Sequence, residues 1–252
     1  MALSKNEIKY VKSLHLKKFR QKYNNFIVEG DKIVRELLAS SNFQIEGLYA
    51  DENWLTKHED ILRLYDIPVH AVSGTDLERI STLKTPNQVL VIVRMPTFRY
   101  SPDKINSSLS LYLDDIRDPG NFGTIMRIAD WFGIPYVFCS PTSAAWTNPK
   151  VIQASMGAFL RVQVHALDLS AIPALVPELS IFGMVLGGQP IAELSKPAAG
   201  LIVIGNESRG ISQSNLPYLT HQLTIPRHPQ GGAESLNAAV ATGIICAQWG
   251  IG

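Results

Sequence analysis

Apolar residues along this chain fall into two alternating arrangements: short unbroken runs and stretches at helical spacing. Phe26-Ile27-Val28-Glu29-Gly30 predicts a short strand, and 31–40 predicts a helix whose buried stripe is Ile33, Val34, Leu37 and Leu38. Ser4 and Glu7 have capping-box spacing, opening a helix with Ile8 and Val11 on its apolar face, and Thr75 with Glu78 repeats the pattern. Further strands are predicted at 45–50 and 68–72. The all-apolar run 89–93 predicts a strand buried on both faces. In the second half, strands are predicted at 109–113, 136–139, 161–165, 182–186, 201–205 and 222–225, and helices at 122–132, 150–156, 169–175, 215–219 and 235–248.

This rhythm implies an α/β fold class. Between the halves, Arg94 to Asp103 contains Pro96 and Pro102 and has no clear period, which marks a linker. The expected division is a domain at 1–95, a linker at 96–107 and a domain at 108–252. The second domain should hold a mostly parallel sheet covered on both faces. There is no internal repeat and no low-complexity tract.

Composition changes this picture little. With 46% hydrophobic and 18% charged residues, the chain is an ordinary globular protein. No apolar run reaches about 18 residues, so no membrane span is expected. The N-terminus lacks a signal-peptide apolar core, and the cytoplasm is the default compartment. Cys139 and Cys246 are far apart in apolar surroundings, which reads as buried structural thiols; a zinc site would need more ligands at closer spacing. No metal is expected.

Charge distribution says more than its total. The net charge is +1, yet residues 1–28 carry seven basic side chains and a single acid, Glu7. Lys12, Lys17, Lys18, Arg20 and Lys22 lie in this stretch. Such a stripe suits a docked phosphate backbone, although a solvated helix face has the same composition.

Candidate chemistry gathers where strands end, since ligands of open α/β sheets collect beyond the carboxyl edge. After the first predicted strand of the second half, Asp118-Pro119-Gly120 turns the chain and Asn121 stands at an expected helix N-cap. Arg127 follows on that helix. A cation near a positive helix end is suited to hold a phosphate or carboxylate, the alternative being a salt bridge to Asp118 or Asp130. The run Leu201 to Ile204 leads into Gly205-Asn206-Glu207-Ser208-Arg209-Gly210, which a plain turn would also explain. The third end, Leu223-Thr224-Ile225-Pro226, opens onto the loop Arg227-His228-Pro229-Gln230 and then a helix with Ser235 as its expected cap. Neither the dinucleotide nor the phosphate-loop glycine fingerprint is present, which argues against a Rossmann-type dinucleotide enzyme.

Taken together, these segments resemble the SpoU/TrmH family of ribose 2′-O-methyltransferases, part of the SPOUT class. Asn121 to Arg127 looks like the family's motif 1, Gly205 to Gly210 like motif 2, and Ile225-Pro226 with Glu234-Ser235-Leu236-Asn237 like motif 3. Asn148 to Ala158 is similar to a further family segment. The first 95 residues resemble a substrate-binding domain of the ribosomal-protein L30e type, most tellingly at Phe26 to Gly30. Two departures stand out. Arg227 to Gln230 replaces the usual methionine and lengthens the motif 3 loop, and Gln153 stands where many relatives have arginine.

The resemblance implies a trefoil-knotted catalytic domain, S-adenosylmethionine as cofactor, and a homodimer through the C-terminal domain with active sites at its interface. It implies a cofactor cradle of Leu186, Gly187, Gly205, Asn206, Ile225 and Leu236. Arg127, Asn121, Glu207, Ser235 and Asn237 would be the catalytic set. Arg127 would sit at the ribose, orienting its 2′-hydroxyl and stabilising the developing alkoxide, because a guanidinium stays protonated in proteins. The target would be structured RNA, ribosomal RNA ahead of transfer RNA. The alternatives are a tRNA 2′-O-methyltransferase, or an RNA-binding protein that keeps the fold without the reaction.

Overall fold

The computed structural model describes residues 3–249. In chain order the first elements are α1 (Lys5–Ser13), α2 (Lys17–Tyr23), β1 (Asn25–Glu29), α3 (Asp31–Leu38), β2 (Ile45–Ala50), α4 (Glu52–Lys57), α5 (Glu59–Leu62), β3 (Val69–Ala71), α6 (Gly74–Ile80) and β4 (Val89–Arg94). Then come α7 (Pro102–Asn106), β5 (Leu109–Leu113), α8 (Pro119–Trp131), β6 (Tyr136–Cys139), α9 (Pro149–Ser155), β7 (Gln163–Ala166), α10 (Ile172–Leu175), β8 (Ile181–Pro190), β9 (Gly200–Ile204), β10 (His221–Thr224) and α11 (Ala238–Gln248). The chain forms two compact units. One runs to Thr97 and includes Thr147–Leu160; the other comprises Phe98–Trp146 and the chain from Arg161.

The first unit is built on a four-stranded sheet in the order β1-β4-β2-β3. β4 is antiparallel to both β1 and β2, while β3 is parallel to β2. Ile8, Val11, Ile27, Tyr49, Leu77, Ile80, Leu90 and Ile92 pack into one core, so the apolar faces of α1 and α6 are spent on this sheet. The Ser4–Glu7 capping box forms, with both reciprocal hydrogen bonds in place. The Thr75–Glu78 box does not. The cap of α6 lies two residues earlier, with Ser73 accepting from the Asp76 amide at 3.1 Å.

The helix α9 belongs by contact to this unit. Val151 and Ile152 are buried, Gln153 Nε2 donates to the Glu29 carbonyl at 2.8 Å, and the Phe159 ring meets Phe26 and Phe43 edge-on. Gln153 is therefore engaged in packing. The division expected from sequence puts 148–158 in the second domain, because periodicity identifies a helix but not the surface it packs on.

The second unit holds six strands in the order β10-β8-β9-β5-β6-β7, all parallel, as the apolar runs predict. Its core includes Tyr112, Tyr136, Phe138, Leu201 and Val203. The helix predicted at 215–219 is only a 3₁₀ turn at Leu216–Tyr218, consistent with Pro217 in its middle. Cys139 and Cys246 are both buried thiols, and burial pushes the Cys246 group up to about 12. Among the described residues no helix is long and apolar enough to cross a membrane.

Candidate functional site

Because the second sheet is parallel, β5, β9 and β10 all end on one edge, and the three sequence motifs follow those ends. The cap opening α8 is Asp118, not Asn121. Its Oδ1 accepts from the Asn121 amide at 2.7 Å, with Pro119 in the first turn, where a missing N–H costs nothing. The Asn121 side chain is thereby released from capping. Its Nδ2 donates to Glu207 Oε1 at 2.6 Å, and its Oδ1 accepts from Asn237 Nδ2 at 2.9 Å. One residue from each motif thus meets in a single chain of hydrogen bonds.

Asn237, not Ser235, caps α11. Its Oδ1 accepts from the amides of Ala239 and Val240 at 2.9 and 3.3 Å. Ser235 lies in the loop before that cap. The stripe Ala238, Ala241, Ile245 and Trp249 packs inward: Ala238, Ile245 and Trp249 are buried, and the Trp249 ring meets Phe182 edge-on. Ala238 and Ala241, at the start of the helix, also line a cavity. The exposed side of α11 carries Val240 and Ala247 instead.

A cavity of about 1010 Å³ opens between these loops. Its walls include Leu186, Gly205, Asn206, Ile225 and Leu236, with Glu207 and Ser235 among the polar groups. The pairing of β8 creates one wall. β10 pairs with β8 at Phe182 and Gly183 and resumes at Gln189 and Pro190, so the intervening residues leave the ladder. Gly187 takes φ +80° within that departure but does not line the cavity. At Gly205 a Cβ would collide with Gly210 C and Ile211 N, so no other residue fits where the chain folds back on itself. The lengthened loop forms another wall through Arg227 and His228. It is tied internally, the Gly231 amide donating to the His228 carbonyl at 2.8 Å and Arg227 Nη1 to the Ala233 carbonyl at 3.1 Å.

Arg127 stands apart. It is exposed on α8, on the same helix face as Thr124 and Trp131, and is not among the residues lining the cavity. Neither candidate acid engages it. Asp118 serves as the helix cap, and Asp130 is gripped by Arg161 through Nη2 at 2.7 Å and Nε at 2.8 Å.

In the first unit, Lys12, Lys17, Lys18 and Lys22 are exposed. Lys18 and Lys22 stand over the rings of Phe19 and Tyr23, which stack on each other. Arg20 departs from the expected stripe. It is 2% exposed, and its Nη1 donates to the carbonyls of Leu14 and His15 at 3.1 and 2.9 Å. Burial lowers its affinity for the proton. It closes the turn between α1 and α2 and is not available to a phosphate.

Sequence reasoning missed the cluster around Asp115. This residue is at φ +57°, just past β5. Its Oδ1 accepts from Arg117 Nε at 2.8 Å and its Oδ2 from Arg209 Nη2 at 2.6 Å. Burial works to raise its pKa, but hydrogen bonds from Arg117 and Thr142 and the charges of both arginines outweigh it and hold the carboxyl below its usual range. Two adjacent acids at a strand end were the available signal. Asp114 is the other, and it accepts from the amide and hydroxyl of Ser212.

Comparison with known proteins supplies a frame for this geometry. The model of the SpoU rRNA Methylase family matches residues 108–247, and that of the MRM3-like substrate binding domain matches residues 5–91. The 23S rRNA (guanosine(2553)-2′-O)-methyltransferase RlmP of Bacillus subtilis is 30% identical over 96% of this chain and 95% of its own. A solved structure from Porphyromonas gingivalis, described as an RNA methyltransferase of the TrmH family, superposes with a TM-score of 0.87 at 36% identity, covering 99% of this chain and 98% of that one. An AdoMet-bound rRNA methyltransferase from Sinorhizobium meliloti shares the fold at a TM-score of 0.86 and 23% identity, covering 99% and 95%.

Proposed function

Because the chain belongs to the SpoU rRNA methylase family, we propose that it methylates a ribose 2′-hydroxyl in structured RNA, ribosomal RNA in particular, using S-adenosylmethionine. The observation that carries this reading is the chain of hydrogen bonds Glu207–Asn121–Asn237, which joins all three motifs beside a cavity of about 1010 Å³. The cavity fits the cofactor by its chemistry. Leu186, Ile225 and Leu236 offer apolar surface for an adenosine, Gly205 lets the backbone come close, and Asn206 and Ser235 supply polar contacts. The cofactor supplies an electrophilic methyl carbon on a sulfonium that leaves as a neutral thioether.

The chain's own residues supply the rest. Asn121 and Asn237 hold the mouth of the site in one geometry, and Glu207 fixes the motif 2 loop to α8. Arg127 presents its donors outward from α8, suited to a ribose oxygen and its neighbouring phosphate. It does not line the chain's own cavity, which supports a homodimer in which Arg127 of one copy completes the site of the other. Family membership supports a trefoil-knotted path in the second unit. The exposed lysines of α1 and α2 suit RNA docking. The cytoplasm is the expected compartment, in keeping with two buried thiols. The internally bonded loop at 227–231 keeps its place in the cavity wall, which favours an active enzyme over a binding-only relative.

Arg127→Ala is expected to lower methyl transfer by about 10²–10³-fold while leaving calorimetric affinity for S-adenosylmethionine within about twofold of wild type. Near-normal transfer of radiolabelled methyl to ribosomal RNA by this variant would remove Arg127 from the mechanism.

A further inference from the structure

Asp115 holds two arginines, one on each carboxylate oxygen, and both remain largely in solvent. The side chains of Arg117 and Arg209 are 62% and 64% exposed, whereas that of Asp115 is 10%. A guanidinium carries five N–H donors in a plane. The Asp115 carboxylate engages Nε of Arg117 and Nη2 of Arg209, so most of the donors on each face outward. The cluster carries one net positive charge and has a rigid base. The Asn206 and Gly210 backbones exchange hydrogen bonds of 3.0 and 2.8 Å. Asn206 Oδ1 accepts from the amides of Ser208 and Arg209, while its Nδ2 donates to the Asp115 carbonyl at 2.9 Å. Arg209 therefore projects from a loop whose own backbone is closed and pinned to the end of β5. Ordering these side chains in advance removes much of the entropy cost of gripping a ligand.

We propose that Arg117 and Arg209, oriented by Asp115, form a two-pronged site for a backbone phosphate of the RNA, holding the strand at the mouth of the cofactor cavity. This rests on the methyltransferase reading and adds a substrate contact to it. Arg209 lines the cavity and Arg117 does not, so the pair spans from the mouth outward, along the course of a strand rather than of a small cofactor. The acids that neighbour the cluster in sequence are tied by hydrogen bonds to other groups, Asp114 accepting from the amide and hydroxyl of Ser212. Glu207 accepts from Asn121, and Asp118 caps α8. The position of Asp115 at φ +57° is one where Asn is as well tolerated as Asp, which makes Asp115→Asn a clean probe.

The test measures binding of a fluorescein-labelled RNA hairpin to the full chain without cofactor, by anisotropy across a range of KCl concentrations. Arg117→Gln with Arg209→Gln is expected to reduce the steepness of the log–log salt dependence by about 0.7–0.9 for each phosphate no longer neutralised. In turnover on ribosomal RNA, this pair should raise KM for RNA about tenfold, with kcat changing far less. Asp115→Asn separates orientation from charge. It removes a negative charge, so simple electrostatics demands tighter RNA binding, whereas loss of the anchored fork demands weaker binding. Tighter or unchanged binding by Asp115→Asn, in protein whose melting temperature is near that of wild type, overturns the proposal. So does an unaltered salt slope in the double variant, which would leave the arginines as loop ties. Loss of S-adenosylmethionine affinity with RNA binding intact would assign Arg209 to the cofactor instead. The salt slope is read without turnover, so it tests the fork even if Arg127→Ala were to undo the assigned reaction.

Discussion

Asn237 serves two ends with one amide: its oxygen caps α11 and its nitrogen holds Asn121. The two roles come apart chemically. Asn237→Ser retains a side-chain oxygen able to cap the helix but has no amide to reach Asn121, whereas Asn237→Ala loses both. The alanine variant is expected to cost about 1 kcal/mol of stability and the serine variant only a few tenths. Both should lower kcat. Full activity in the serine variant, measured beside its melting curve, would show that the bond to Asn121 plays no part in turnover. Asn237 is legible in the sequence as a motif residue but not as the cap. Ser235 is an equally good capping type two residues earlier, and only the path of the loop decides which side chain meets the first free amides.

At the level of elements, α2 shows how composition can mislead about one residue while being informative about its neighbours. Lys17, Lys18 and Lys22 lie outside, two of them over aromatic rings, and Arg20 is drawn in to bind two carbonyls. Four cations that look alike in sequence therefore divide into two classes. Replacing Lys17, Lys18 and Lys22 by Glu should weaken RNA binding and flatten its salt dependence with little change in melting temperature. Arg20→Ala should do the reverse, costing about 1–3 kcal/mol by leaving buried carbonyls unpaired. Equal effects of the two changes on RNA affinity, with no loss of stability in Arg20→Ala, would contradict this division. The central strands β5, β6 and β9 are legible because burial along their whole length keeps them mostly apolar. The short helices α4, α5 and α7 are not, since each spans too few residues for a period to emerge.

For the whole molecule, the exposed apolar residues of the second unit bear on assembly. Trp131 is 85% and Leu186 81% exposed, and Val240 and Leu236 are also open. Leu186 and Leu236 belong to the cavity wall, whereas Trp131 and Val240 lie outside it and are suited to a partner surface, which the proposed homodimer would supply. If the site is completed across that dimer, Arg127→Ala and Glu207→Ala subunits should rescue each other. Each variant alone should be nearly inactive. Equal mixing with subunit exchange should restore about one quarter of wild-type activity, because half the dimers are mixed and each then holds one intact site. Sedimentation should give twice 27.8 kDa. A mixture as inactive as its components, in protein that does form dimers, would place Arg127 and Glu207 in the same copy's site.

What the sequence determined by itself was the kind of element and the order of the chemistry. Hydrophobic spacing is a local property, and it marked both sheets, the parallel character of the second, and three motif-bearing strand ends. What only the tertiary structure decided was which groups meet. The cap of α8 passed to Asp118, α9 packed against β1, and Arg20 turned inward. Arg127 stayed out of the cavity beside which its motif lies, and Asp115 gathered Arg209 from 94 residues away. The packing of α9 on β1 and the Asp115–Arg209 pair depend on contacts between residues distant in the chain, while the α8 cap and the turn closed by Arg20 are local contacts decided by the path of the backbone, which residue types alone do not give.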